Sequence, residues 1–203
     1  VQEGDAVDYN NMYNYIANNS FTSDANYAYI QTRMDTDNFI DYFTTNIFYQ
    51  NDDWPGNNII YWRKRTAGYI PNAPYGHDGR WRWAIHDTDS TLDEPDYNSL
   101  RDATSTVDVG PNPAWSTLIL RKLLANTTFK NDFINRFADL MNTNFLSTRV
   151  KAKIDEIAAI IAPEMPDQYF RWKAPVNNGD WQYHLNEEKD FADERPDYQR
   201  SHI

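Results

Sequence analysis

Hydrophobic residues recur at helical spacing at both ends of this 203-residue chain, but not in the segment between them. Residues 51–113 are rich in Gly, Pro, Asn and Asp, and no three- or four-residue apolar repeat runs through them. Two short runs in this segment have the composition of strands instead. The sequence therefore predicts an α+β fold, predominantly α-helical with a small β-hairpin insert, and a single domain over residues 1–203.

The first fifty residues predict three helices, with Ser23 and Asp35 as the N-caps of the second and third. Their apolar stripes are Tyr9, Met12, Tyr13 and Ile16; Tyr27, Ile30 and Met34; and Phe39, Ile40, Phe43 and Ile47. Residues at this spacing lie on one face of a helix, so we expect them in the core.

The last ninety residues predict four more helices. Their stripes are Trp115, Leu118, Ile119 and Leu123 after Pro113; Phe129, Phe133, Phe137 and Leu140; Val150, Ile154, Ile157 and Ile161, ended by Pro163; and Trp181, Leu185 and Phe191 before Pro196. Proline is placed here at helix boundaries because it lacks the N–H that a helix interior uses.

The strand candidates are residues 58–62 and 80–85, joined by a turn-rich loop around residues 67–76. Antiparallel pairing would bring Asn58 beside Asp87, so that acidic clusters at residues 51–58 and 86–89 meet at the open end of the hairpin. Strand alternation places Trp81, Trp83, Ile85 and Asp87 on one face, with Asp87 held beside an apolar wall. The basic residues at 63–65 are expected in a solvated loop.

Composition excludes several classes of function. The chain has 30 acidic against 19 basic residues, a net charge of −11, which disfavours binding to nucleic-acid backbones. It has no cysteine, which excludes thiolate catalysis, disulfides and cysteine-based zinc sites. No apolar run approaches the roughly 20 residues of a membrane span. Because the chain starts at Val1 without a leader, we expect that a signal peptide has been removed.

Asp53 and Asn58 have the spacing D-x-x-x-x-N, and Asp87 follows after the hairpin. Protein kinases use an Asp near the acceptor hydroxyl, an Asn five residues later on a metal ion, and a further Asp on the metal ions that bridge the phosphates. Oxygen ligands of this kind suit Mg²⁺ or Mn²⁺. Asp and Asn in loops also cap turns, and the spacing alone leaves that interpretation open.

The sequence resembles the CotH family, the spore coat CotH proteins and their relatives, which are atypical kinases. The resemblance lies in the segments Asn38–Phe43, Asn51–Asn58, Tyr61–Arg63, Trp81–Asp89 and Phe191–Pro196. It implies the C-terminal lobe of a reduced protein-kinase-like fold that transfers phosphate from ATP to Ser of secreted or coat proteins. It also implies that the protein is bacterial and that it is secreted, periplasmic or on the cell surface.

The resemblance also implies a role for each site residue. Asp53 would be the catalytic Asp at the acceptor hydroxyl, and Asn58 and Asp87 would bind Mg²⁺ or Mn²⁺. Asp89 would add a ligand or orient Asp87, and Trp81 would stack on adenine. The basic N-terminal lobe that grips the nucleotide phosphates in this family has no counterpart before Asn38, so the chain is expected to be inactive alone.

Two other functions fit parts of the sequence. Residues 87–91 match D-x-D-x-T, the nucleophile motif of a phosphatase class in which the motif ends the first strand of a parallel sheet. The second function is that of a non-catalytic module for surface attachment, coat assembly or carbohydrate binding. Its aromatic platform would consist of Trp54, Tyr61, Trp62, Tyr69 and Tyr75.

Overall fold

The structure, a computed structural model, describes residues 3–110 and 112–203. Its elements are α1 Val7–Asn18, α2 Asp24–Gln31, α3 Thr36–Phe48, β1 Ile60–Trp62, β2 Arg82–Ala84, α4 Ser99–Ala103, α5 Leu118–Leu123, α6 Thr127–Met141, α7 Ser147–Ile161, α8 Met165–Trp172 and α9 Asn178–His202. A short 3₁₀ turn, Ala162–Glu164, joins α7 to α8. The predicted class, mostly helical with a small antiparallel hairpin, is confirmed.

The chain divides into two compact units. The first comprises the residues up to Ser90 together with Ser99–Phe137, and the second comprises Thr91–Asn98 together with Ala138–Ile203. The single domain over residues 1–203 stays a prediction. None of the helices in the described ranges combines the length and the apolar character that crossing a membrane requires.

The second and third helices begin where the sequence predicts. The Ser23 hydroxyl accepts from the Asn26 N–H at 3.4 Å, and the Asp35 carboxylate accepts from the Asn38 N–H at 3.3 Å. Each cap satisfies a backbone donor that has no partner inside the helix. The predicted stripe residues that are buried are Met12, Ile16, Tyr27, Ile30, Met34, Phe39, Ile40, Phe43 and Ile47.

The hairpin pairs antiparallel, with Ile60 opposite Ala84 and Trp62 opposite Arg82. The second edge of β2 is also satisfied, because the Trp83 N–H donates to Asn38 Oδ1 at 2.7 Å and the Trp83 C=O accepts from Asn38 Nδ2 at 3.2 Å. The Asn38 side chain thus takes the place of a neighbouring strand. As a result, β2 is fixed between β1 and the start of α3.

A buried ion cluster holds the loop between the strands. The Arg82 side chain is 1% exposed, and its guanidinium donates to both oxygens of Asp78 at 2.8 Å and lies 2.8 Å from Asp35. Arg80 adds a second bond to Asp78 at 2.7 Å, and the Tyr75 ring lies 4.5 Å from the Arg82 guanidinium carbon. Because Asp35 is the N-cap of α3, this cluster ties the loop to that helix.

Three details of the predicted C-terminal helices are wrong. Trp115 is 56% exposed because residues 113–116 form a turn, closed by the Ser116 N–H on the Pro113 carbonyl, and α5 starts only at Leu118. Of the α7 stripe only Val150 is buried, while Ile157 and Ile161 are 52% and 41% exposed. Helix α9 continues through Pro196, which is buried, so packing outweighs the roughly 3 kcal/mol that proline costs inside a helix.

Replacing Asp78 by Asn should lower the free energy of unfolding by about 3 kcal/mol at neutral pH, because it removes a buried partner of Arg82. The hydrogen bond from Arg82 holds the pKa of Asp78 far below its ordinary value of 3.8. The Asp78 contribution is therefore complete above that value and is lost as the pH falls below it. Urea unfolding between pH 2.5 and 7 measures both effects.

The matched control is Asp41→Asn, which breaks an exposed ion pair with Arg136 in the same unit. An exposed pair of this kind contributes at most about 1 kcal/mol. Equal losses of stability in the two variants would show that the buried cluster does not hold the fold.

Candidate functional site

Helix α3 connects the two ends of β2. Its 13 residues span about 20 Å, and the six residue steps from Trp81 to Asp87 cover a similar length when extended, about 20 Å. The start of α3 is bound to Trp81 and Trp83, and its end leads into the loop of residues 49–58. This loop therefore arrives beside Asp87.

Two contacts join this loop to residues 87–90. The Asp52 N–H donates to the Ser90 carbonyl at 3.0 Å. The Asn51 Nδ2 lies 3.0 Å from Asn46 Oδ1 and 3.5 Å from the Asp87 carbonyl, and both asparagines are buried. The two acidic clusters thus meet at the open end of the hairpin, as the antiparallel register predicts.

Asp53 and Asn58 contact each other directly. Asn58 Nδ2 donates to Asp53 Oδ2 at 2.5 Å, and the Asn58 backbone is left-handed, with φ of 51°. The other carboxylate oxygen, Asp53 Oδ1, is buried and has no hydrogen-bond partner within the described part of the chain. A buried carboxylate oxygen without a donor is unfavourable by itself, so it marks a place where a proton donor or a cation is expected.

Asp87 and Asp89 form a pair of carboxyl groups at the surface. The hydrogen bond that protonated Asp87 donates to the Asp89 carboxylate, together with the negative charge of Asp89, raises the pKa of Asp87, and the charge of Asp53 raises it further. The predicted position of Asp87 beside an apolar wall is wrong. Strand β2 ends at Ala84, Ile85 is 47% exposed, and a φ of 52° at Asp87 breaks the strand alternation.

Trp81 lies at the opposite end of β2 from these carboxylates, with only 8% of its surface exposed. Its Nε1–H donates to Asp8 Oδ2 at 2.9 Å, and the Arg63 guanidinium carbon lies 5.5 Å from its ring centroid. The rings of Tyr9 and Tyr61 meet it edge-on at 5.4 and 5.7 Å. The structure therefore brings Asp53, Asn58, Asp87 and Asp89 together and places Trp81 apart from them.

A groove of about 1070 Å³ follows β1 and includes Trp81 in its wall, whereas Asp53, Asn58, Asp87 and Asp89 do not line it. Its walls are residues 3–9, 11, 59–63, 65, 66 and 81. One end begins at Ile59, the neighbour of Asn58, and Arg63 and Trp81 lie further along. The four residue steps from Ile59 to Arg63 cover about 13 Å of extended chain, and Asn58 follows directly at the Ile59 end.

Sequence reasoning missed Asp8, Arg63 and Asn51. Arg63 is not in a solvated loop: its side chain is 13% exposed and pairs with Asp8 at 3.2 Å. Its position after a strand that ends in Tyr-Trp was the available signal, because such an arginine has an aromatic ring within reach. For Asp8 and Asn51 no local signal existed, because their partners lie 73 and 36 residues away.

The acidic end fits a hard divalent cation bound together with phosphate. No group of three or more Asp, Glu, His or Cys side chains in the described ranges could hold a metal ion without other ligands. Mg²⁺ at phosphoryl-transfer sites, however, uses one or two protein carboxylates, an amide oxygen and phosphate oxygens. Such a cation would provide a partner for the Asp53 oxygen that has none, and it would offset the repulsion between Asp87 and Asp89.

The structure also bears on the two other functions. The phosphatase motif needs a parallel sheet, whereas the sheet in the described ranges consists of two antiparallel strands. In the aromatic platform, Trp54 is buried, and its Nε1–H donates to the Tyr42 hydroxyl at 2.7 Å. The other four rings, Tyr61, Trp62, Tyr69 and Tyr75, are exposed.

Comparison with known proteins gives one match. A family model described as CotH kinase protein matches residues 1–199 of the chain. No curated protein and no solved structure matches.

Replacing Asp89 by Asn should lower the pKa of Asp87, because it removes the neighbouring negative charge that opposes ionisation. A carboxyl ¹³C NMR titration of Asp87 measures the change. Asp53→Asn should lower the same pKa by less, since its charge is the weakest of the causes. An unchanged titration of Asp87 in the Asp89 variant would contradict the pairing of these carboxyl groups.

Proposed function

The chain belongs to the CotH kinase protein family, and from this we propose that it is a kinase domain that transfers the γ-phosphate of ATP to Ser side chains of proteins. The observation that carries the proposal is the joining of two loops at the end of α3. These loops place Asp53 and Asn58 beside Asp87 and Asp89. Fixed positions of this kind are the main requirement for phosphoryl transfer, since the protein mostly orients and stabilises charge.

In the proposed mechanism, Asp53 meets the acceptor hydroxyl. Asn58 holds Oδ2 of this carboxylate, which leaves Oδ1 without a partner and free to accept the hydroxyl hydrogen. The hydroxyl oxygen is then oriented towards the γ-phosphorus, and its proton passes to Asp53 as the new O–P bond forms, while the bond from the γ-phosphorus to the β–γ bridging oxygen breaks and ADP leaves with that electron pair. Asn58 therefore has two tasks, since its Nδ2 orients Asp53 and its Oδ1 remains available as a ligand.

Asn58, Asp87 and Asp89 are the residues that would hold Mg²⁺ or Mn²⁺. When bound, the metal neutralises charge on the phosphates and orients them. Asp52 and Asn51 fix the backbone at Ser90 and Asp87, so the ligands from the two loops keep a common position. Because the chain has a net charge of −11, it repels a nucleoside triphosphate, and a bound cation would offset this repulsion.

The nucleotide base is proposed to occupy the groove at Trp81, with the phosphates directed towards Asn58. The Arg63 side chain lies over the Trp81 ring, and it is the long, flexible member of the ring's surroundings. A base reaches the ring when this guanidinium moves aside. The proposal includes three further points. The fold is the C-terminal lobe of a kinase, and basic residues of an N-terminal lobe bind the nucleotide phosphates. The acceptors are secreted or coat proteins of a bacterium.

The chain should bind Mn²⁺ or Mg²⁺ in the presence of a non-hydrolysable ATP analogue, and Asp87→Ala should weaken this binding by about 100-fold or more. Isothermal titration calorimetry measures both affinities. Asp197→Ala is the matched control, because it removes an equal charge from a carboxylate that is 91% exposed. Equal metal affinity in the wild type and the Asp87 variant would contradict the metal site and favour a non-catalytic module.

Asp53→Asn should reduce kcat by about 1000-fold and leave the affinity for MgATP close to that of the wild type, because Asp53 acts on the acceptor hydroxyl. Transfer of labelled phosphate to Ser-containing peptides by the full natural protein measures kcat. A parallel loss of nucleotide affinity would show that Asp53 is needed for nucleotide binding instead.

A further inference from the structure

Asp8, near the start of α1, contacts three side chains, two of which line the groove. One of its carboxylate oxygens pairs with Arg33. The other oxygen accepts from the Trp81 Nε1–H at 2.9 Å and lies 3.2 Å from Arg63 Nε. All three donors converge on one carboxylate that is partly shielded from solvent, with 24% of its side chain exposed.

The contacts of Asp8 close a ring of hydrogen bonds around Trp81. The Trp81 N–H donates to the Arg33 carbonyl at 2.9 Å, and the Arg33 side chain reaches Asp8, which in turn accepts from the Trp81 indole. The Trp81 carbonyl is held as well, because it accepts from the Asp35 N–H at 2.9 Å. With both backbone groups of Trp81 fixed, the remaining freedom of the ring is rotation of its side chain, and the bond to Asp8 removes that rotation.

The orientation of this ring matters for stacking. A base stacks on the face of an indole, and a rotated ring would present its edge. Tyr9 and Tyr61 stack on each other with centroids 4.0 Å apart, and both meet Trp81 in T-shaped contacts with interplanar angles of 85° and 76°. Edge contacts of neutral rings limit the rotation less strictly than a charge-assisted hydrogen bond does.

We propose that Asp8 is a positioning residue, which fixes the indole of Trp81 so that its face is presented to a nucleotide base in the groove. This proposal rests on the nucleotide site proposed above. Asp8 does not touch the base in this arrangement and acts through Trp81. Its loss should therefore affect nucleotide affinity and leave the transfer step unchanged.

The test compares Asp8→Ala, Asp8→Asn and Asp41→Asn. Asp41 is the matched control, because it also pairs with an arginine, Arg136, but does not line the groove. The indole N–H resonance of Trp81, one of seven tryptophans, is assigned by its disappearance in Trp81→Phe. Calorimetry gives the Kd of MgATP, and steady-state kinetics of the full natural protein give KM and kcat.

In Asp8→Ala the Trp81 indole resonance should shift, and the Kd and KM for MgATP should rise about tenfold with kcat unchanged. Asp8→Asn keeps an acceptor oxygen for the indole and should show a smaller rise, which is the rescue expected from a conservative variant. Asp41→Asn should match the wild type in all measurements. An unshifted resonance, or an unchanged Kd in Asp8→Ala, would overturn the proposal.

Arg63→Ala distinguishes the contribution of Arg63 from that of Trp81, the two partners of Asp8 that line the groove. It removes the guanidinium from the Trp81 ring but keeps the indole–carboxylate bond, so MgATP should bind at least as tightly as in the wild type. A loss equal to that in Asp8→Ala would place the effect in Arg63 and overturn the role of Trp81 orientation. If the wild type itself binds no MgATP, the nucleotide site fails together with the role of Asp8 in it, and the indole resonance still reports the hydrogen bond.

Discussion

The buried contact of Arg82 with Asp78 and Asp35 is the interaction on which the rest of the first unit depends. A sheet of two strands with three residues each is not stable by itself in water. Here the guanidinium of the second strand is bound on one side to the strand-connecting loop and on the other to the cap of α3. A shift of the strand by one residue would move Arg82 to the other face and leave two buried carboxylates without a cation, so the cluster also sets the register.

Once the register is set, α3 determines where the candidate site forms. The helix is fixed to β2 at its start through Asn38, and its length carries the following loop to the other end of the strand. Short polar side chains then fasten this loop: Asn46 and Asn51 hold each other and the Asp87 backbone, and Asn112 receives the Gly56 N–H at 2.7 Å. Left-handed backbone at Gln50, Asn58 and Asp87 is tolerated most easily by Asn and Asp, so the composition of this segment follows from its geometry.

Sequence reasoning succeeded where the signal is local. The caps at Ser23 and Asp35 and the stripes of the three N-terminal helices depend on residues within a few positions of one another, and the antiparallel hairpin depends on two short runs joined by one loop; these features were predictable. The wrong details depend on distant packing. Nothing near Pro196 indicates that burial will keep the helix intact, and nothing near Asp8 indicates that its partners are Arg33, Arg63 and Trp81. The meeting of the two acidic clusters was predictable because one hairpin register decides it, whereas the exposure of Asp87 depends on a backbone angle that alternation cannot supply.

The groove and the carboxylate cluster beyond its Ile59 end differ in charge. At the Trp81 end of the groove, Asp8 and Asp5 are neutralised by ion pairs with Arg33, Arg63 and Arg65. At the end where the cluster lies, none of the ion pairs within the described ranges involves Asp53, Asp87 or Asp89, and the mutual repulsion of these groups raises the pKa of Asp87. One end is thus aromatic and electrically balanced, and the other has an excess of negative charge that only an added cation can balance. A metal–nucleotide complex has the complementary polarity, with a neutral base at one end and a metal-bound triphosphate at the other, and this match connects the acidic composition of the chain to the proposed chemistry.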